Sequence, residues 1–344
     1  MVVNVSCGRG CLCLEFPDRI MTRILSRALL AMLASFFLTQ CSGLGGFGGS
    51  RENRLVKLGY ESVSLQKLPN DVRYSGVFKV NGKKMRFLID SGANSTDVSE
   101  RLATSAGLMG DESVKVVTRG ALGREISSSR GLGSLQIGQM VADNFPFTIA
   151  PSSGRKTSTS SYAGQVGLDA LSSTGSLVDI PGAKLWVPNS TDRLGAGADL
   201  SPKRGLGQKV LKMGRAGRMP HLILNGSLNG KQVTWVVDTG AEISVMASES
   251  FNSFGIPSVE SNARMIDASG DRIALRKAQL KNLRFGDVNV SVFDISVAPL
   301  STVRQYFRDQ SGRPVDGILG MDFLTNSQAL LDSQAGLLYL GLVN

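Results

Sequence analysis

Two acidic triplets end two apolar runs in this chain. Asp90-Ser91-Gly92 follows Phe87-Leu88-Ile89, and Asp238-Thr239-Gly240 follows Trp235-Val236-Val237. Each run reads as a strand that delivers a partly buried carboxyl group, then a hydroxyl, then a residue with no side chain. One such triplet is an ordinary turn, because Asp, Ser and Gly all tolerate turn geometry. Two of them brought together would do chemistry. Removing a charge from water is costly, and two carboxyl groups at short range share one proton because both cannot ionise easily. One then serves as base toward a water while the other donates to a substrate carbonyl. The hydroxyls of Ser91 and Thr239 can bond across to the opposite loop. Gly92 and Gly240 leave room for the loops to approach, and Ala93 and Ala241 complete each turn.

The elements that must position these triplets come from an internal repeat. VNGKKMRFLIDSGA from Val80 aligns with LNGKQVTWVVDTGA from Leu228, so that Asp238 lies 148 residues after Asp90. The same offset pairs Gly107 with Gly255, Leu135–Gly138 with Leu283–Gly286, and Ala150-Pro151 with Ala298-Pro299. After a short length difference the match resumes, Val166–Leu171 on Leu319–Leu324 and Leu177–Asp179 on Leu330–Asp332. Asn81-Gly82 and Asn229-Gly230 each sit between strand-like runs, a strong hairpin signal. Short helical turns are expected at 99–106, 248–254, 168–172 and 321–325. The organisation predicted is a leader at 1–41, a flexible tether at 42–54, repeat 1 at 55–188, an exposed linker at 189–214 and repeat 2 at 215–344.

The repeat also matches two further acid pairs. Asp169 and Asp322 open short helical stretches, where free N–H groups and the helix dipole favour a carboxylate. Asp179 and Asp332 precede turns and are expected to bond local backbone. Both pairs read as structural, which leaves Asp90 and Asp238 for catalysis.

Composition narrows the chemistry. Forty glycines and 6% aromatics suit short strands and turns. A net charge of +10 comes without interleaved Arg and aromatic residues, so no nucleic-acid partner is expected. The one histidine, His221, reads as a surface or strand-edge residue. All four cysteines, at 7, 11, 13 and 41, precede residue 42, so the repeats hold no thiol nucleophile or thiolate metal site. Two Trp and five Tyr are too few for the sugar-stacking surface of a glycosidase.

From Met21, read as the true start, Arg23 and Arg27 precede the apolar run Ala28–Leu38, the layout of a bacterial secretory signal. Leu38-Thr39-Gln40-Cys41 resembles a lipoprotein signal in which Cys41 is lipidated, although Gln40 stands where a small residue is expected. The glycine-rich tether that follows would hold a domain near a membrane on the periplasmic side of the cell envelope.

Asp-Ser/Thr-Gly-Ala after an apolar strand, with a later apolar-Gly motif (Val166-Gly167; Ile318-Leu319-Gly320), resembles the retroviral-type, or retropepsin-like, aspartic proteases. The resemblance covers both repeats. It implies a mainly β fold of two homologous closed-barrel domains packed as a single-chain pseudo-dimer, with a few short helices. It further implies Asp90 and Asp238 as the catalytic dyad, the hydroxyls of Ser91 and Thr239 bonding between loops, and a protein or peptide substrate. No metal or organic cofactor is required. Flaps over the cleft would fall at 120–123 and 268–271. The expected activity is aspartic endopeptidase. The alternatives are a peptide-binding or envelope-assembly module of the same fold without turnover, and pairing of each repeat with its counterpart in a second chain.

Overall fold

The computed structural model describes residues 50–120, 123, 125–151, 162–189, 205–266 and 271–341. The leader, Cys41, most of the tether, and the central part of the expected linker lie outside them. Repeat 1 contributes β1 (Tyr60–Ser64), β2 (Ser75–Val80), β3 (Lys83–Ile89), β4 (Asp97–Ser99), β5 (Gly110–Arg119), β6 (Glu125–Ile137), β7 (Met140–Ala150), β8 (Gly164–Val166), β9 (Leu177–Asp179) and β10 (Lys184–Pro188). The second half contributes β11 (Lys209–Lys212), β12 (Gly214–Arg215), β13 (Leu222–Leu228), β14 (Lys231–Val237), β15 (Val245–Ala247), β16 (Ser258–Ile266), β17 (Arg272–Phe285), β18 (Val288–Ala298), β19 (Gly317–Leu319), β20 (Leu330–Asp332) and β21 (Leu337–Leu340). Six helices punctuate them: α1 (Arg51–Lys57), α2 (Glu100–Ser105), α3 (Leu168–Ser173), α4 (Ser248–Phe251), α5 (Ser301–Ser311) and α6 (Met321–Asn326).

The two repeats close in the same way. In repeat 1 the order β2-β3-β8-β4-β7-β6 returns to its start through a β2–β6 pairing, with β5 extending the sheet. In repeat 2 the order β13-β14-β19-β15-β18-β17 returns through β13–β17. In each barrel the short strand carrying the apolar-Gly motif, β8 or β19, runs parallel to the strand that ends in the acid. Inward residues alternate with outward ones where a face meets solvent, as in β13. Each barrel is filled by large apolar side chains: Phe78, Phe87 and Phe147 in the first, Trp235, Leu280 and Phe285 in the second. Both Asn-Gly pairs form hairpin turns with positive φ at each residue, 47° and 79° at Asn81-Gly82 and 50° and 81° at Asn229-Gly230. Those values match the turn that suits strand twist. The four short helices fall where the sequence predicts them.

A third sheet joins the halves. Its order, β1-β10-β9-β20-β21-β11, sets three strands of repeat 1 beside three from the second half, joined through the antiparallel pair β9–β20. Its face buries Tyr60, Trp186, Leu330 and Tyr339.

Two expectations need correction here. The tether was expected to stay flexible through residue 54, but Ser50 accepts a hydrogen bond from the Asn53 N–H and starts α1. This helix docks because Leu55 is fully buried in the third sheet's core, a gain of about 2 kcal/mol for a leucine side chain. Arg51 adds polar ties to Asp179 at 3.0 Å and to the Leu206 carbonyl at 2.8 Å. The linker was expected to be exposed throughout, but its end forms β11, which pairs with β21, and Leu206 is buried. A paired edge strand needs only a few residues, too short for a visible period in a basic run.

Candidate active site

β3 and β14 end side by side at the junction of the barrels. Asp90 N–H donates to the Val166 carbonyl and Asp238 N–H to the Leu319 carbonyl, so the apolar-Gly strands hold the acid positions. The turns after them interlock. Ser91 Oγ donates to the Val237 carbonyl at 2.9 Å and accepts from Thr239 N–H at 3.0 Å. Thr239 Oγ1 donates to the Ile89 carbonyl at 2.9 Å and accepts from Ser91 N–H at 3.0 Å. These four bonds are buried and related by a pseudo-two-fold axis, so each hydroxyl satisfies two backbone groups of the opposite loop.

The glycines explain the close approach. A methyl group on Gly92 would overlap the Asp238 carboxyl group, and one on Gly240 would overlap that of Asp90. Asp90 Oδ1 accepts from Gly92 N–H at 2.9 Å and Ala93 N–H at 3.0 Å. Asp238 Oδ1 accepts from Gly240 N–H at 2.7 Å. The two carboxyl groups face each other across the junction, each beneath the glycine of the opposite turn. Both aspartates keep a partly accessible face, yet they sit deep enough that burial raises the pKa of each. Asp90 is also raised by the Asp238 charge, whereas Asp238 is partly stabilised as an anion by N–H groups and by Asp90 itself. Both directions are met by one proton shared within the pair, which titrates as a unit.

The other acid pairs do structural work. Asp169 accepts from Thr96 N–H at 2.9 Å, Thr96 Oγ1 at 2.7 Å and Ala170 N–H at 2.7 Å. Asp322 repeats this with Ser244 N–H at 2.9 Å, Ser244 Oγ at 2.6 Å and Phe323 N–H at 2.7 Å. The same hydroxyls accept from Gly167 and Gly320 N–H, which fixes the apolar-Gly motifs under the catalytic turns. Asp179 accepts from Gly182 N–H and Trp186 Nε1, and Asp332 from Ala335 N–H.

β5 and β6 pair as far as Arg119–Glu125. Of the flap segment 120–123, Gly123 N–H donates to the Gly120 carbonyl and Gly123 lies against Thr302 of α5, while 121 and 122 lie outside the described residues. The β16–β17 hairpin closes as far as the Ile266–Arg272 pair, and 268–270 lie outside the described residues. Cys41 also lies outside them.

The sequence does not mark Arg73 or His221 as residues of the site. Arg73 bonds Asp71 through Nε at 2.9 Å and Nη2 at 2.8 Å, and its Nη1 reaches the Gly240 carbonyl at 3.4 Å. Glu242 lies 3.4 Å from the same guanidinium, and Tyr162 OH donates to Asp71 at 2.8 Å. His221, expected at the surface or at a strand edge, does precede β13 directly but is buried rather than exposed, with Nε2 3.1 Å from the Gly92 carbonyl. The aromatic rings of α5 cover it, and that helix has no sequence counterpart in repeat 1. Arg73 and His221 are also 148 residues apart, so the repeat offset would have paired them had their side chains been alike.

The sequence profile described as aspartyl protease matches residues 77–170 and again 224–323, together more than half of the chain. Among solved structures, basic 7S globulin from soybean aligns at 10% identity with a TM-score of 0.47, covering 81% of this chain and 94% of that one. No curated protein matches the sequence. Both profile matches extend across an acidic turn and the apolar-Gly strand beneath it, and the chain belongs to the aspartyl protease family.

Proposed function

We propose that the protein is an aspartic endopeptidase that hydrolyses peptide bonds of a protein substrate in the bacterial cell envelope, with Asp90 and Asp238 as its catalytic pair. The observation that carries this reading is the crossed packing of the two turns, each acid lying under the glycine of the other repeat. A peptide-binding surface has no need of two carboxyl groups held at the cost of burying their charge. Shared-proton aspartate pairs are the established device of this enzyme class.

In the mechanism, the ionised member of the pair is the base and the protonated member the acid. The carboxylate takes a proton from a water set between the two groups as the water oxygen attacks the scissile carbonyl carbon. The acid gives its proton to the carbonyl oxygen, forming a neutral gem-diol and exchanging the protonation states of the two groups. The newly protonated carboxyl group then gives its proton to the amide nitrogen while the other takes one from a gem-diol hydroxyl, so the C–N bond breaks to a carboxylic acid and an amine and the dyad is again singly protonated. The interlocked hydroxyls of Ser91 and Thr239 keep the carboxyl groups in register, and Ala93 and Ala241 continue the turns. A single chain supplies both halves, so a monomer suffices.

The envelope location rests on the leader sequence, with lipidation at Cys41 as the anchor. Membrane fractionation of the wild type and Cys41→Ala tests it: release of the variant into the soluble periplasm is expected, and equal membrane association rejects the anchor. For the reaction itself, the test is peptide cleavage by Asp90→Asn and Asp238→Asn, each made alone. Full activity in either variant rejects the shared pair.

A further inference from the structure

His221 and Arg73 hold equivalent places in the two repeats, and each reaches across to the other repeat's catalytic turn. Arg73 meets the Gly240 carbonyl and His221 the Gly92 carbonyl. The Gly92–Ala93 peptide unit is the important partner. Its carbonyl faces His221, while its N–H, on Ala93, donates to Asp90 Oδ1 at 3.0 Å. A peptide unit is planar, so fixing the carbonyl also aims the N–H at the catalytic carboxyl group.

The chemistry of the imidazole follows from that contact. A carbonyl only accepts, so Nε2 carries the hydrogen, and a neutral ring then leaves Nδ1 as a lone pair. Nδ1 is buried and has no hydrogen-bond partner among the described residues. The ring is 6% exposed and is covered edge-on by Phe307, with centroids 5.0 Å apart, and by Tyr306 at 6.0 Å.

We propose that His221 is a positioning residue for the dyad: its neutral Nε2–H form clamps the Gly92–Ala93 peptide across the repeat interface. The inference rests on the endopeptidase reading for its kinetic consequences only. A second proton would lie in an apolar site with no acceptor assigned to it. Of the elements around the ring, the turn carries Asp90 and the neutral Asn94. Helix α5 carries Tyr306 and Phe307. The approach to β13 carries Met219, with Arg215 donating to the Pro220 carbonyl. Burial pushes the His221 pKa down to about 4, with the Gly92 hydrogen bond opposing the shift. Arg73 on the other side holds its carbonyl through a guanidinium, which stays charged at every working pH.

The chain has one histidine, so ring ¹⁵N NMR of the full chain reads this residue alone. The Nε2–H tautomer is expected at pH 6, with titration near pH 4. Carboxyl ¹³C NMR of selectively labelled aspartates then reads the clamp without turnover. In His221→Phe, which keeps the ring packing and loses the donor, the titration of Asp90 should change. In His221→Gln, which keeps a neutral donor, it should return toward wild type. In peptide cleavage, His221→Phe should lower kcat by about 10- to 100-fold, the scale of a small misplacement of catalytic groups, with KM within about twofold. His221→Gln should recover most of kcat. An Nδ1–H tautomer, or an unaltered Asp90 titration in a folded His221→Phe, overturns the clamp. Absence of cleavage by the wild type overturns the endopeptidase reading instead and leaves the NMR result to decide the clamp.

Discussion

The interlocked turns and the contacts that flank them obey different rules in the same interface. At the turns the two repeats match bond for bond: Ser91 and Thr239 make the same pair of contacts, at 2.9 Å and 3.0 Å. At the flanks they diverge. One catalytic glycine is held by Arg73, itself saturated by Asp71 and Glu242, and the other by a neutral His221 among aromatic rings. Sharing one proton needs two carboxyl groups in near-equivalent positions, which only matching turns provide. Holding a carbonyl needs one donor, and a guanidinium or an imidazole can supply it. The difference separates what the proposed chemistry requires from what the scaffold can vary.

The strongest challenge to the symmetric half is to remove one acid at a time. Asp90→Asn and Asp238→Asn should each lower kcat by about 10³-fold or more, the range of general acid–base catalysis, measured by peptide cleavage. A large loss in only one variant would break the equivalence of the turns.

Next in size is the asymmetric half. Arg73→Ala leaves the Asp71 carboxylate without its bidentate partner in a largely buried place. A stability loss of about 3–5 kcal/mol is expected from urea unfolding, as for other broken buried pairs. His221→Phe removes one hydrogen bond, leaves no charge behind, and should cost about 1 kcal/mol. Equal losses would mean the two clamps carry the same structural burden.

Smaller effects sharpen the picture. Ser91→Ala and Thr239→Val each strip two buried interloop bonds and should each cost about 1–3 kcal/mol. The pseudo-two-fold axis calls for similar values, and unequal ones would show that one turn relaxes more easily.

The last test concerns pH. Burial and the Asp238 charge raise the pKa of Asp90 in the folded protein. The native state therefore keeps a proton that the unfolded chain has released, and stability falls as pH rises from the unfolded carboxylate value, about 3.9, through the raised one. Asp90→Asn removes this penalty. Its melting temperature should exceed that of the wild type at pH 7, and the gain should fade below about pH 4. A gain of the same size at pH 3 would assign it to packing instead.

Much of this was legible in the sequence because two copies could be read against each other. The 148-residue offset located both acids and both hairpins, the match that resumes after the length difference located both apolar-Gly motifs, and strand alternation did the rest. What stayed hidden depended on distance in space. The β2–β6 and β13–β17 pairings close the barrels between segments more than 50 residues apart, and nothing local encodes them. Helix α1 lay behind a glycine-rich stretch whose composition signals flexibility, while Leu55 owes its burial to strands from both halves. Arg73 and His221 escaped because aligning the copies rewards identical residues, and these two perform one task with different groups.

The third sheet has a consequence for biosynthesis. Its strand order joins the end of repeat 1 to the end of repeat 2, as β10-β9-β20-β21. On a ribosome or at a translocation pore, the first barrel has all its strands once residue 166 has emerged, but β20 and β21 end at residues 332 and 340. The strand beneath Asp238, β19, arrives only at residues 317–319. The two carboxyl groups therefore cannot be assembled on a nascent chain until nearly all of it has been delivered. Topology alone keeps the pair apart until β19 has been made.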